Sequence, residues 1–251
     1  NTALGFEAGR ATGGVNNLTN IGFQAGSSNT GGNSTVVGFQ AGNANTGADA
    51  VIIGFQAGGT NAGRRATIIG SLAGRGNSGQ QNTYIGWNAA GLLNNSACSN
   101  NVAVGMNAMN SNAGRVVSNS TAIGTQALEN PSSNANNNTA VGYQAGAQLT
   151  SGSNNVMVGN ASRITTGSNS IAIGVGANAG AFSNSVAIGS GATASASNHI
   201  RIGNGAITLA TTSQSWTVVS DRRKKSNIID SPLGLDFIKT LRPVSYFKIN
   251  D

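Results

Sequence analysis

The 251-residue chain carries 5% aromatic and 8% charged residues against 37 glycines, too lean in large side chains for a conventional globular core. Its formal net charge of +7 is unevenly placed. Residues 1–219 hold only Arg10, Arg64, Arg65, Arg75, Arg115, Arg163 and Arg201 against Glu7, Asp49 and Glu129, and arginines this scattered, without interleaved aromatics, argue against a nucleic-acid groove.

Cys98 is the single cysteine, so an intrachain disulfide framework is excluded and only pairing between chains stays open. No apolar run approaches the roughly 18 residues of a membrane span, which argues against membrane insertion, and no signal peptide is visible. The chain opens at Asn1, inside a repeat and without an initiator Met, as expected for a segment of a longer polypeptide.

The first predicted elements are repeats. A unit of Asn, a small or polar residue, Thr or a β-branched aliphatic, a variable residue, Ile or Val, then Gly surrounds Gly5, Gly22, Gly38, Gly54, Gly70, Gly86, Gly105, Gly124, Gly142, Gly159, Gly174, Gly189 and Gly203, at spacings of 14 to 19 residues. The residue before each Gly is aliphatic, from Leu4 and Ile21 through Ile188 and Ile202, and two positions earlier stands Thr or a β-branched aliphatic. Residues two apart share a face of a strand, so each copy predicts one strand of about four or five residues.

The Gly after each strand permits a turn or the close approach of a neighbouring backbone. Five positions before it sits Asn or Asp in most copies, including Asn33, Asp49, Asn119, Asn137, Asn169 and Asn184. These side chains suit turns, and stacked one per coil they are expected to hydrogen-bond along the fibre as an amide ladder. Together the pattern predicts a β-solenoid of about thirteen coils, with the β-branched column pointing inward and Gly, Ala and Asn at the corners. At about 4.8 Å per coil such a rod is on the order of 60 Å long. A core this lean is expected to need several chains wound together.

On these residues the chain resembles the head repeats of YadA-type trimeric autotransporter adhesins and similar repeats of phage tail fibres. Asn169–Gly174 (N-S-I-A-I-G) and Asn184–Gly189 (N-S-V-A-I-G) match the adhesin pattern, while Asn138–Gly146 and Asn33–Gly42 look like the fibre variant. The resemblance spans residues 1–209 and implies an all-β fold, a homotrimeric left-handed parallel β-roll on a cell or virion surface. The longer coils between Gly86 and Gly142, with extra residues in Gly91–Asn101, Asn110–Asn119 and Leu128–Asn138, are expected to bulge as solvent loops. Loops that protrude from a fibre are also candidates for a host receptor or glycan.

Residues 210–219 read as a linker, after which composition changes: ten formal charges in residues 1–219 give way to eleven in residues 220–251. Ser231 and Pro232 read as N-cap and first turn of a helix that carries Leu233, Phe237, Ile238 and Leu241 on one face, stops at Pro243, and precedes a strand over Val244–Ile249. Ser220–Asn227 (S-D-R-R-K-K-S-N) and Gly234–Tyr246 resemble the start of the endosialidase-type intramolecular chaperone domain, a small α+β module that would here be truncated at Asp251. The resemblance implies self-cleavage near Val219 through Ser220 and Lys225. A Lys deprotonates a Ser hydroxyl only when neutral, and Arg222, Arg223 and Lys224 are cations able to lower its pKa. Without the resemblance, the same residues read as a basic solvated turn.

Other chemistry finds little footing. Three acidic residues in 219 do not build a calcium roll, His199 and Cys98 make no zinc set, and no phosphate loop is present, so no cofactor or metal is expected. His199 reads as a turn residue, and Trp87 and Trp216 as turn or interface aromatics. Thr2, Thr19, Thr35, Thr67, Thr83, Thr121 and Thr139 would suit a monomeric ice-binding solenoid if they faced outward, but they share the strand face expected to point inward. The expected function is a homotrimeric surface or tail fibre, spacer and adhesin, with a self-cleaving chaperone attached. The alternatives are an uncleaved bacterial trimeric adhesin, a peptidase-containing precursor and the ice-binding solenoid.

Overall fold

Each Gly-centred copy contributes one strand in the computed structural model, which describes residues 1–93, 95–111, 115–131, 134–208 and 234–241. The chain divides into two compact units, Asn1–Thr208 and Leu209–Asp251. In the first, the strands are β1 Thr2–Leu4, β2 Leu18–Ile21, β3 Ser34–Val37, β4 Val51–Ile53, β5 Thr67–Ile69, β6 Thr83–Ile85, β7 Val102–Val104, β8 Thr121–Ile123, β9 Thr139–Val141 and β10 Val156–Val158. There follow β11 Arg163–Ile164, β12 Ile171–Ile173, β13 Asn178–Gly180, β14 Val186–Ile188 and β15 Ile200–Ile202.

Thirteen of these form one parallel sheet in the order β1 to β10, β12, β14, β15, and β11 pairs with β13 in a small second sheet. Equivalent repeat positions pair directly, as in Ile53↔Ile69 and Ile69↔Ile85. Parallel neighbours require a crossover of a dozen residues or more, and the remainder of each coil supplies it. The result is an all-β parallel solenoid, as the repeats predict, with strands of three or four residues in the large sheet, slightly shorter than expected.

The corners follow from two backbone requirements. Gly54 has φ +135°, and a Cβ there would lie 2.6 Å from the Gly70 carbonyl oxygen of the next coil, so the chain stacks closely only without a side chain. Five residues earlier, Asn17, Asn33, Asp49, Asn100 and Asn119 all take φ of 54° to 60°, and Arg65 (56°) and Gln81 (57°) adopt the same turn. Asn and Asp favour the left-handed region; Arg65 and Gln81 show that the coil imposes it. The expected ladder is present: Asn17 Nδ2 donates to Asn33 Oδ1 and Asn33 Nδ2 to Asp49 Oδ1, each at 2.9 Å.

The inward column differs from the expectation. Strands β5 to β7 are buried at the middle residue only, so Ile68, Tyr84 and Ala103 face inward while Thr67 and Ile69, Thr83 and Ile85, Val102 and Val104 face outward. The β-branched column thus lies on the outer face of the coil. The reason is volume: a coil of 14 to 19 residues encloses a narrow interior with room for one inward side chain per strand, Ala in several coils and a larger residue such as Ile52, Ile68 or Met157 in others, and the flanking side chains stay outside.

In several coils interior volume is exchanged between two positions. Where the inward strand residue is large, as Ile52 or Ile68, the residue six positions on is Gly58 or Gly74, and added Cβ atoms would meet Ile52 Cγ2 at 3.1 Å and Ile68 Cδ1 at 3.0 Å. Where it is Ala103 or Ala122, buried Met109 or Leu128 fills the space instead. In these coils the exchange keeps the interior filled.

The longer coils do not simply bulge. Leu93, Cys98, Val117 and Ala135, all from the extended stretches, are fully buried, so the insertions add interior surface as well as perimeter. Among the described residues of the second unit a helix, α1, spans Leu235–Thr240 with Gly234 at its N-cap, and no side chain caps it. Its start is later than the Ser231 cap expected from sequence; Ser231–Leu233 and the strand expected over residues 244–249 lie outside the described residues.

Candidate assembly and binding surfaces

The strand face is the most unusual surface of the solenoid. Its two outward columns are Thr, Val, Ile or Leu on every one of the thirteen strands, with no charge in either. Val51, Ile53, Ile123, Ile173 and Ile188 are each 36% to 41% exposed, rising to 66% at Leu4 and 65% at Ile200 on the end strands. An uncharged, largely aliphatic strip that runs across all thirteen strands is atypical of a surface that faces water alone. The threonines lie in one of these columns, so the argument that they point inward is overturned with the rest of the phase.

Aromatic residues extend this strip around the corner. Phe6, Phe23, Phe39 and Phe55, each directly after a corner Gly, stack on one another with ring centroids 5.1 to 5.3 Å apart and remain 42% to 65% exposed. Trp87, Met106 and Tyr143 occupy the same position in later coils and are also exposed. Trp87 is therefore an exposed corner aromatic, and Trp216 lies outside the described residues.

Two further amide ladders were not anticipated from sequence. Inside the coil, Asn45, Asn61 and Asn77 each donate through Nδ2 to the Oδ1 of the preceding coil's Asn at 2.7 to 2.8 Å. Outside, Gln24 donates to Glu7, Gln40 to Gln24 and Gln56 to Gln40. The sequence signal was available: Asn recurs seven positions, and Gln two positions, after successive corner glycines. Each buried amide bond contributes about 1 kcal/mol, and removing one member leaves its neighbours unsatisfied at greater cost.

The acidic residues of the solenoid are spread apart. Glu7 is engaged with Arg10 at 2.9 Å, Asp49 faces Arg64 at 4.0 Å, and Glu129 stands in another coil. Among the described residues no three His, Cys, Asp or Glu side chains lie together. His199 Nδ1 accepts from the Ser195 backbone N–H at 3.1 Å, which engages the imidazole within its own turn. The residues assigned to self-cleavage, Ser220 and Lys225, and the bond near Val219 lie outside the described residues. Among the described residues no helix is long and apolar enough to cross a membrane.

Cys98 is placed against pairing between chains, because its side chain is buried within the coil, where Sγ donates to the Arg115 carbonyl oxygen at 3.1 Å. Burial pushes the thiol pKa above its ordinary value of 9.0, and burial likewise raises that of the adjacent Tyr84 hydroxyl. Both groups are held neutral in the fold but ionise near their ordinary values once unfolded. Their contribution to stability is therefore full below about pH 9 and is lost as pH rises. Thermal melts should be level below that pH and fall above it, with a shallower fall in Cys98→Ala. A maleimide should label native Cys98 far more slowly than the urea-unfolded chain; labelling at equal rates would contradict the burial.

Comparison with known proteins adds a fold likeness. No family model matches the chain, and no curated protein matches it. Among solved structures, the collagen-binding domain of the Yersinia adhesin YadA aligns over 84% of this chain and 83% of its own, at 21% identity and a TM-score of 0.34.

Proposed function

We propose that this chain is the stalk of a homotrimeric surface or tail fibre, a spacer and adhesin displayed on a cell or virion surface. The observation that carries the reading is the uncharged apolar strand face, continuous over thirteen strands. A surface that repeats once per coil is matched along its whole length only by an object with the same axial period. A second copy of the chain is such an object. The number three comes from the resemblance of the repeats to trimeric adhesins and fibres, as does the left-handed roll.

The C-terminal segment fits the same reading through its likeness to an intramolecular chaperone, in which Ser220, activated by Lys225, cuts near Val219 after assembly. Ser220→Ala should leave full-length chains in cells that otherwise accumulate a shorter product; equal lengths in both would remove the cleavage step and favour an uncleaved adhesin.

Oxidative cross-linking tests the assembly. With Cys98 buried, Ile53→Cys places one reactive thiol on the strand face, and Thr46→Cys places one on an exposed position elsewhere. The first should give covalent dimers at low concentration and the second should not. No cross-link from Ile53→Cys would count against strand-face assembly.

One observation favours a second reading. The outward column of Thr19, Thr35, Thr67 and Thr83 gives a single chain a flat threonine-bearing face of the kind that can order water as ice. Thermal hysteresis from a monomeric chain would establish it. Its absence, together with cross-linking at Ile53→Cys, leaves the fibre.

A further inference from the structure

A cleft of about 470 Å³ opens on the side of the solenoid that follows the corner glycines, apart from the strand face that precedes them. Its size falls within the range that holds small ligands. Three departures from the repeat create it. First, the outer glutamine ladder stops: Gln56 donates to Gln40 Oε1 at 2.9 Å, but the next coil has Leu72 where another Gln would continue. Gln56 Oε1 is therefore an acceptor left without a donor among the described residues.

Second, the column five residues after each corner glycine reads Ser27, Asn43, Gly59, Arg75, Gly91. The coils on both sides of Arg75 carry no side chain at that position. Third, the Arg75 guanidinium is exposed and forms no ion pair or hydrogen bond with a described residue, whereas Arg10 and Arg64 face Glu7 and Asp49.

The two flanking glycines differ in a way that separates folding from function. Gly91 is kept small by a neighbouring side chain, because a Cβ there would collide with Asn88 Oδ1, and the Asn88 amide is tied in turn to Asn107 Oδ1. Gly59 is not: an added Cβ would find Arg75 Cγ at 3.5 Å, an ordinary contact, and its φ is not left-handed. The fold has room for a Cβ at residue 59, and a longer side chain there would extend from the wall of the cleft.

We infer that this cleft binds a carboxylate-bearing saccharide, with Arg75 taking the carboxylate and Gln56, Asn43 and Thr60 the sugar hydroxyls. A guanidinium matches a carboxylate in fork geometry, and no acidic side chain lines the cleft to compete for it. Amides and a hydroxyl donate and accept as sugar hydroxyls do. Exposed Leu92 supplies an apolar edge for the C–H face of a ring. The lining holds no Ser–His or carboxylate pair, so the chemistry is recognition and not turnover. A smaller recess of about 210 Å³ beside Gln144 and Arg163 is also a ladder end but falls below the size needed for a disaccharide.

The inference rests on the adhesin part of the proposed function and not on assembly, so the two fail separately. The experiment is titration calorimetry of the full chain with a glucuronate-terminated disaccharide and its neutral glucose-terminated counterpart. The acidic sugar should bind at least about tenfold more tightly than the neutral one, and Arg75→Gln should remove that difference. Gly59→Asn, which copies the residue of the preceding coil, should abolish binding of both while leaving the thermal melt unchanged. Arg64→Gln, outside the cleft, should bind as the parent does. Absence of binding by the parent, equal affinity for the two sugars, or undiminished binding by Gly59→Asn would each overturn the inference, whatever the oligomeric state.

Discussion

Gly54→Ala is expected to collapse the stalk's cooperative melt, costing more than about 4 kcal/mol, at the far end of single-substitution effects. The backbone at φ +135° is accessible to glycine and strained for any L-residue by about 1–3 kcal/mol. The added methyl carbon would also stand 2.6 Å from the Gly70 carbonyl oxygen and 2.7 Å from its carbon, atoms belonging to the next coil's own corner. Those atoms give way only if the two coils separate, which breaks the parallel pairing of β4 with β5. Gly59→Ala, where the methyl finds ordinary contact, is the matched control and should shift stability by less than about 1 kcal/mol in either direction. A Gly54→Ala protein that melts like its parent would show that the corner glycines are not what sets the coil spacing.

The second large effect is expected at the strand face. Val51→Lys combined with Ile53→Lys changes two outward residues that are 38% and 36% exposed in a single chain. Within one chain the new ammonium groups reach water, so folding of the isolated solenoid should change by about 0.5 kcal/mol or less per site. Within an assembly, the same charges from every copy would be brought together and desolvated, at several kcal/mol per uncompensated charge. The variant should therefore be folded and monomeric, with a melting temperature that no longer rises with protein concentration. Unfolding of the variant at all concentrations would instead show that the two columns belong to the core of one chain.

That second possibility is the one the alternation pattern invites, and it marks where the sequence stopped being readable. Period-two alternation assigns Val51 and Ile53 to one face and Ile52 to the other, but says nothing about which face is inside. Hydrophobicity does not decide it here, since all three are apolar. Volume does. The buried inward position reads Ala103, Ala122, Ala140, Ala172 and Ala187 in later coils, with Met157 the exception on β10, the signature of a narrow interior, while the outward positions there are Thr, Val or Ile.

The features that were legible depend on local chemistry alone. Asn33 and Asp49 at a left-handed corner, Gly54 at the coil contact and one strand per copy each follow from what a residue permits in its own backbone. The interior Asn45–Asn61–Asn77 ladder was missed because buried amides become favourable only when a neighbouring coil supplies the partner at the right height. The exchange of Ile68 and Gly74 for Ala103 and Met109 was hidden similarly, since the compensating residues lie six positions apart on different sides of the coil. The cleft beside Arg75 arises from what the repeat omits at Gly59 and Leu72, visible only once the ladder that should fill it is known.

An apolar strand face that meets copies of itself makes the mass of the particle in solution decisive. Light scattering of the purified chain reads this most directly. The expected mass is three times that of the 24.9 kDa chain, falling to a single chain in the Val51→Lys, Ile53→Lys variant. A parent protein that stays at the mass of one chain at every concentration would contradict it and leave the strand face to water.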